Sequence, residues 1–306
     1  MKNTLNQKLH SISFIFVAFS LLLISCQNTE INSGKFDLEK LNQIDNLINT
    51  SIDLNSLPGA VVLVAKNNKI VYKKAFGIKN PTTGEKYKTD DIFRIASMTK
   101  AITSLGVMKL WEKGLFGLDD PIEKYIPEFK GVGVLDKFNP LDSTFTIKPT
   151  QKKISIRNLL THTSGLGYGF IVGNPSIKAI LHTAKDNFMP NGVLGFSDSD
   201  VSIEKVIKEI AKVPLHHEPG ERYTYAIGID VLGYLIEIVS GESLADFFQN
   251  EIFNPLKMND TFFYLPEDKI DRLVPVLYKN EKEWSIFKDT RFNINYPIEG
   301  AKRFYS

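Results

Sequence analysis

Residues 59–77, GAVVLVAKNNKIVYKKAFG, carry two runs rich in β-branched residues on either side of Asn67-Asn68. That pattern predicts a β-hairpin. A polar stretch, IKNPTTGEKYKTDD (78–91), follows as a loop. From Ser97 the sequence SMTKAITSLGVMKLWEKG reads as helix, with Ile102, Leu105, Met108 and Leu110 apolar and much of the rest apolar too. A helix apolar nearly all round is expected to be buried, and Gly114 is its expected stop. LDDPIEKYIPEF (118–129) reads as a turn and a short helix, and 130–153 as loop with some β tendency in STFTI. SIRNLLTHTSGL (155–166) opens on a capping serine and predicts a short helix running into a turn. Residues 167–200 read as loop with one short helix. DVSIEKVIKEIAKV (200–213) has Val201, Ile203, Val206, Ile207 and Ile210 at amphipathic-helix spacing. PLHHEPGERYTY (214–225) reads as extended chain. IGIDVLGYLIEIVSG (227–241) predicts a buried helix with a glycine end, and ESLADFFQNEIF a further helix before Pro255. Beyond residue 271, RLVPVLYK and EWSIFKD read as strands. Strands, a long helical middle and strands again suggest a helical region inserted into an α/β domain.

Composition adds limits. The 306 residues are 43% hydrophobic with a formal net charge of +2, ordinary for a globular chain with ample core. A near-neutral balance leaves no electrostatic footprint for nucleic acid. The short basic runs KNNKIVYKK (66–74) and QKKISIR (151–157) read as solvated strand and loop faces.

The amino terminus changes the picture. Lys2 and Lys8 precede an apolar run, Ile12–Ile24, of signal-peptide length. The run ends at Leu23–Cys26, LISC, which holds the chain's single cysteine and resembles the lipobox of bacterial lipoproteins. That resemblance implies cleavage before Cys26, lipidation of its thiol and stable anchoring by acyl chains. Residues 1–26 are then a signal peptide, 27–36 a polar tether and 37–306 the folded domain. Gln27 is not the aspartate that would suggest inner-membrane retention, so the analogy points to the outer membrane of the cell envelope.

The chemistry begins with Ser-x-x-Lys, which occurs at Ser97/Lys100, Ser202/Lys205 and Ser285/Lys288. Ser202 opens an amphipathic helix beside Glu204 and reads as an N-cap. Ser285 lies in an alternating strand pattern, where positions three apart face opposite sides. At Ser97 a strongly apolar helix follows, and on a helix positions i and i+3 share a face. Burial disfavours a lysine's cation and lets it help take a serine proton, while a helix N-terminus favours a developing oxyanion. A capping serine beside an outward-reaching lysine fits the same residues.

Four ordered blocks extend the reading: residues 93–129, 154–166 (ISIRNLLTHTSGL), 219–241 (PGERYTYAIGIDVLGYLIEIVSG) and 252–263 (IFNPLKMNDTFF). Together they resemble the serine β-lactamase and penicillin-binding protein superfamily, in the class C-like branch that includes family VIII carboxylesterases and DD-peptidases. The resemblance covers roughly residues 40–300. It implies a β-lactamase/transpeptidase-like fold, an antiparallel sheet flanked by helices with an inserted all-helical region. It implies a serine hydrolase without cofactor or metal, acting on a small-molecule ester, a β-lactam or a peptide. By motif, Ser97 matches the acylated serine, Lys100 its lysine, and Tyr225 the tyrosine of Tyr-x-Asn. A phenol ionises near pH ~10, so the tyrosine needs nearby lysine charge to act as a base. Alignment through DVLG favours Tyr225 over Tyr223, which then reads as a packing aromatic.

Two departures from the family pattern matter. Ile227 stands where β-lactamases and peptidases have the asparagine that hydrogen-bonds the substrate amide, which tilts the expectation toward esters. The third motif, Lys/His/Trp-x-Gly on a strand, has no match after Tyr225. The resemblance therefore implies a chain incomplete at its C-terminus by on the order of a hundred residues, with an inert fragment or a binding protein as the alternative to an enzyme.

Other residues invite weaker readings. His162 reads as a turn histidine bonding local backbone rather than a triad base. His216-His217-Glu218 lacks metal-ligand spacing, because neighbours on extended chain point apart. Asp119-Asp120 and Asp198/Asp200 suit turns and caps. Tyr168 and Phe170 could line a pocket rim or pack a loop.

Overall fold

The computed structural model describes residues 38–142, 144–168, 175–176, 180 and 202–287. The signal-peptide, Cys26 and tether expectations lie outside them, as do Phe170, Asp198, Asp200 and Lys288.

The chain divides into two compact units. The first takes the described residues up to Ile78, plus Lys86–Thr89. It holds helix α1 (Leu38–Asp53) and the hairpin of β1 (Gly59–Lys66) and β2 (Lys69–Asn80) as far as Ile78; β3 (Glu85–Lys86), of which Lys86 falls in this unit, is third in the sheet order. The hairpin turns at Asn67 and Asn68, both with positive φ, which asparagine tolerates better than other residues bearing a Cβ. Helix α1 is tied to β2 at Asp45, which accepts from the Tyr72 hydroxyl and, at 2.5 Å, from Lys74 Nζ.

The second unit takes Lys79–Glu85 and the described residues from Asp90 onward. It contains α2 (Thr99–Glu112), the hairpin β4 (Gly133–Phe138) and β5 (Phe145–Pro149), α3 (Ile156–Leu160), α4 (Ile203–Ile210), α5 (Gly228–Ser240), α6 (Leu244–Phe248), and the hairpin β6 (Leu277–Lys279) and β7 (Trp284–Ile286). Its core is helical. Val107 and Leu110 of α2, Leu159 of α3, Ile207 of α4, Leu232, Leu235 and Ile236 of α5, and Phe247 and Phe248 of α6 pack into one buried cluster. Gly106 lets α2 approach closely, since a Cβ there would sit 3.0 Å from Ile236 Cδ1 and 3.2 Å from the Phe247 ring.

The structure departs from the sequence pattern in two places. Helix α2 is buried on one face, through Thr103, Gly106, Val107 and Leu110, while Leu105 and Trp111 are each 43% exposed. Its even spread of apolar residues hid which face packs. Residues 133–149 form a hairpin rather than loop, with a register irregularity between Leu135 and Lys137. This hairpin gains a third backbone partner at Leu215, whose N–H donates to Gly133 and whose carbonyl accepts from Leu135. Among the described residues the strands form three separate small sheets, β1-β2-β3, β4-β5 and β6-β7.

The segment entering α2 is held by backbone. Ile92 N–H donates to the Arg272 carbonyl at 2.8 Å, Val274 N–H to the Ile92 carbonyl at 2.9 Å, and Arg94 Nη1 to the Val274 carbonyl at 3.0 Å. These bonds fix the chain a few residues before Ser97.

Candidate active site

Ser97 sits in a single 3₁₀ turn, Ala96–Met98, that runs directly into α2. Ala96 enters that turn at φ +43°, a backbone position that residues bearing a Cβ rarely take. Strain of this kind persists where surrounding structure dictates it, and it is common around functional groups. The turn leaves Ser97 exposed at the mouth of the helix.

Two proton-carrying groups meet the serine. Lys100, one turn along α2, places Nζ 3.3 Å from Ser97 Oγ. Tyr225, 128 residues further along the chain, donates its hydroxyl to the same oxygen at 3.1 Å. Lys100 Nζ also lies over two aromatic rings, 5.4 Å from the Tyr225 centroid and 5.7 Å from that of Tyr168. Ring faces attract a cation at such distances, so the two tyrosines define where the ammonium rests. Tyr168 is itself buried, and its hydroxyl donates to buried Asp230 of α5 at 3.3 Å. Ser97, Lys100 and Tyr225 are thus brought together, and Tyr168 packs against their lysine rather than only against its own loop.

The tyrosine is supplied by the segment before α5. Thr224 N–H donates to the His162 carbonyl and Ala226 N–H to His162 Nδ1. Tyr223 stands away from Ser97, 64% exposed and edge-on to the His162 ring at 5.7 Å. It is not a core packing residue, because the alternating direction of successive side chains turns it outward when Tyr225 turns in. Ile227 is buried in the core at the N-cap of α5. The side chain at that position serves packing and offers no polar group to the serine.

The other candidates have structural partners. Ser202 caps α4 by accepting the Lys205 N–H, and Ser285 lies on β7. Asp119 takes a bidentate pair of bonds from Arg157, and Asp120 accepts from Gly117 N–H, Lys124 and the Tyr125 hydroxyl. His217, buried, bonds the Glu218 carbonyl through Nδ1 and Thr224 Oγ1 through Nε2. His162 bonds backbone, as expected of a turn residue, but at Ala226, 64 positions away, rather than locally.

His216 has a different consequence. Its backbone N–H donates to the Gly165 carbonyl at 2.7 Å, while its ring Nε2 is buried without a hydrogen-bond partner among the described residues. Burial, helped by the charges of His217 and Arg222, pushes its pKa down to about 4. An unfolded histidine titrates near ~6.5, so between these values the unfolded chain holds the extra proton and stability rises with pH. Melting temperature is expected to fall as pH drops from about 6.5 toward 4, and His216→Leu to flatten that slope. Equal slopes for wild type and variant in a pH series of thermal melts would refute this.

Comparison with known proteins places the chain in a family. The beta-lactamase family model matches residues 44–291. "Protein Rv1367c" of Mycobacterium tuberculosis is 35% identical over 232 residues, covering 76% of this chain and 53% of that protein. "Esterase EstB" of Burkholderia gladioli is 31% identical over 229 residues, covering 74% of this chain and 52% of that one. Among solved structures, "EstCE1, a hydrolase with promiscuous acyltransferase activity" superposes with a TM-score of 0.66 at 26% identity, over 81% of this chain and 59% of that chain. The chain spans about half the length of these curated relatives. The fold is β-lactamase/transpeptidase-like, helices with small antiparallel sheets. The family model covers most of the chain, and this chain belongs to the beta-lactamase family.

Proposed function

We propose that this protein is a serine hydrolase that cleaves carboxylic esters through an acyl-enzyme on Ser97. The observation that carries the reading is the double approach to Ser97 Oγ, by Lys100 Nζ at 3.3 Å and the Tyr225 hydroxyl at 3.1 Å. A serine hydroxyl is a weak nucleophile until an adjacent group takes its proton. Ser97 Oγ attacks the substrate carbonyl carbon as its proton passes to the Tyr225–Lys100 pair. The pair returns that proton to the departing alkoxide, and the alcohol leaves. Water then attacks the acyl-Ser97 carbonyl, gives a proton to the same pair, and releases the acid as Ser97 recovers its own proton. An alcohol in place of water would give acyl transfer, an activity named for EstCE1.

Esters are favoured over β-lactams and cell-wall peptides by Ile227, whose buried side chain leaves the substrate amide without a partner at that position. Esterase EstB among the relatives supports the same choice. The LISC motif at Leu23–Cys26 supports a lipoprotein of the cell envelope, held by acyl groups on Cys26 and sited at the outer membrane.

Purified protein from residue 27 onward, incubated separately with p-nitrophenyl butyrate and a fluorescent penicillin, tests the substrate class. Ester turnover with no penicillin adduct in the intact mass is the expected result. A stoichiometric penicillin adduct without ester turnover would overturn the assignment in favour of a penicillin-binding activity.

A further inference from the structure

His162 grips Tyr225 from both sides along the chain. Its carbonyl accepts the Thr224 N–H at 2.8 Å, and its Nδ1 accepts the Ala226 N–H at 3.3 Å. Thr224 and Ala226 flank the tyrosine whose hydroxyl meets Ser97. The imidazole also lies against the Tyr225 ring, with centroids 4.9 Å apart. The grip is made at φ +55°, in the left-handed region where a histidine is uncommon. A helical continuation of α3 would carry the ring elsewhere. The strained turn is what aims both acceptors at the same short segment.

We propose that His162 is a positioning residue for Tyr225 and performs that task only as a neutral imidazole with Nδ1 as acceptor. The inference rests on the reading of Tyr225 as a proton carrier for Ser97. An imidazolium carries a hydrogen on both nitrogens, so its Nδ1 would face the Ala226 N–H donor to donor. The bond would break, and a second cation would appear near Lys100. The charged and titratable groups around the ring are Lys100 from α2 and Tyr223 and Tyr225 from the segment before α5. Among the described residues no carboxylate pairs with it. Burial first, and the Lys100 charge second, hold the His162 pKa below the ordinary histidine value. The clamp is therefore intact at ~6.5 and above, and is lost only as pH falls through the lowered His162 pKa. The backbone half, from Thr224 to the His162 carbonyl, does not titrate.

The test joins kinetics to a direct view of the ring. His162→Ala is expected to lower kcat for p-nitrophenyl butyrate up to about 100-fold with little change in KM, the scale of a misplaced catalytic group. Asparagine tolerates the left-handed backbone and can present Oδ1 as an acceptor near the place of Nδ1. His162→Asn should therefore recover kcat to within a few-fold and lose the acid limb that wild type shows below pH ~6.5. In ¹⁵N-histidine-labelled full chain, with the resonance assigned by its absence from His162→Asn, Nδ1 should be unprotonated at pH 8 and titrate below the ordinary value. A His162→Ala enzyme with wild-type kcat and acid limb, or an Nδ1 that carries the proton at pH 8, would overturn the proposal. Failure of the underlying reading looks different. Tyr225→Phe would then match wild type while the ring still shows an accepting Nδ1, so the clamp would stand as structure and its role in turnover would fall.

Discussion

Ser97→Ala is expected to abolish the covalent adduct with a fluorophosphonate and to lower ester turnover by about 10⁴- to 10⁶-fold, the range of losses for residues that act as one catalytic unit. The chain should stay folded, because Ser97 is exposed and its hydroxyl supports no packing. Lys100→Met and Tyr225→Phe should each cost about 10³-fold or more, since both groups lie within reach of the same Oγ. The decisive comparison is the double variant. If the three residues form one unit, Ser97→Ala/Lys100→Met should be no slower than Ser97→Ala alone, because among the described residues Ser97 Oγ is the oxygen that Lys100 Nζ bonds. Steady-state rates and intact masses for the four proteins make the measurement. A Ser97→Ala protein that still turns over ester at the wild-type rate would remove the acyl-enzyme from the account. Additive losses in the double variant would place Lys100 in a separate step.

Legibility in the sequence followed how local each signal was. The β1–β2 hairpin was readable because Asn67-Asn68 states its own turn and the flanking residues pack within the same unit. Ser155 announced α3, and the structure makes it a full capping box with Asn158. Ser202 likewise caps α4, so that serine–lysine spacing was correctly read as a helix start. The β4–β5 hairpin was not readable, because β5 is exposed throughout and Asp136, Lys137 and Lys148 interrupt any apolar alternation. Its third backbone partner, Leu215, lies far along the chain. The site divides the same way. Ser97 and Lys100 are one helical turn apart, and their spacing carries the contact. Tyr225 came only through resemblance, since nothing local marks a tyrosine as the partner of a serine 128 positions away. The His162 clamp was illegible in principle, because it depends on a positive φ and on a backbone donor that the sequence pattern does not encode.

Gly165→Ala is expected to be the most damaging single methyl addition in the turn that carries this clamp. Gly165 has φ +85°, and a Cβ built there would lie 2.4 Å from the His217 carbonyl oxygen and 3.2 Å from Leu215 Cβ. The obstacle is backbone, so no side chain can rotate away to relieve it. Gly165 also accepts the His216 N–H at 2.7 Å, so any retreat weakens that bond too. Left-handed strain contributes about 1–2 kcal/mol, and the displaced backbone bonds about 1 kcal/mol or more in addition. Together these give a loss of about 3 kcal/mol, or roughly 6–12 °C in melting temperature for a chain of this size. Gly131→Ala is the matched control, because Gly131 has φ +78° but no atom within 4 Å of the added methyl. It should cost the strain alone, roughly 2–8 °C. The difference between the two melts isolates the contact with residues 215–217. That contact reaches the site, since His217 Nε2 bonds Thr224 Oγ1 at 2.9 Å and Thr224 precedes Tyr225. Gly165→Ala should therefore lose kcat even well below its own melting temperature, whereas Gly131→Ala should not. Equal melting temperatures and equal rates for the two variants would show that the 162–166 turn has room to spare and that it does not hold Tyr225 in place.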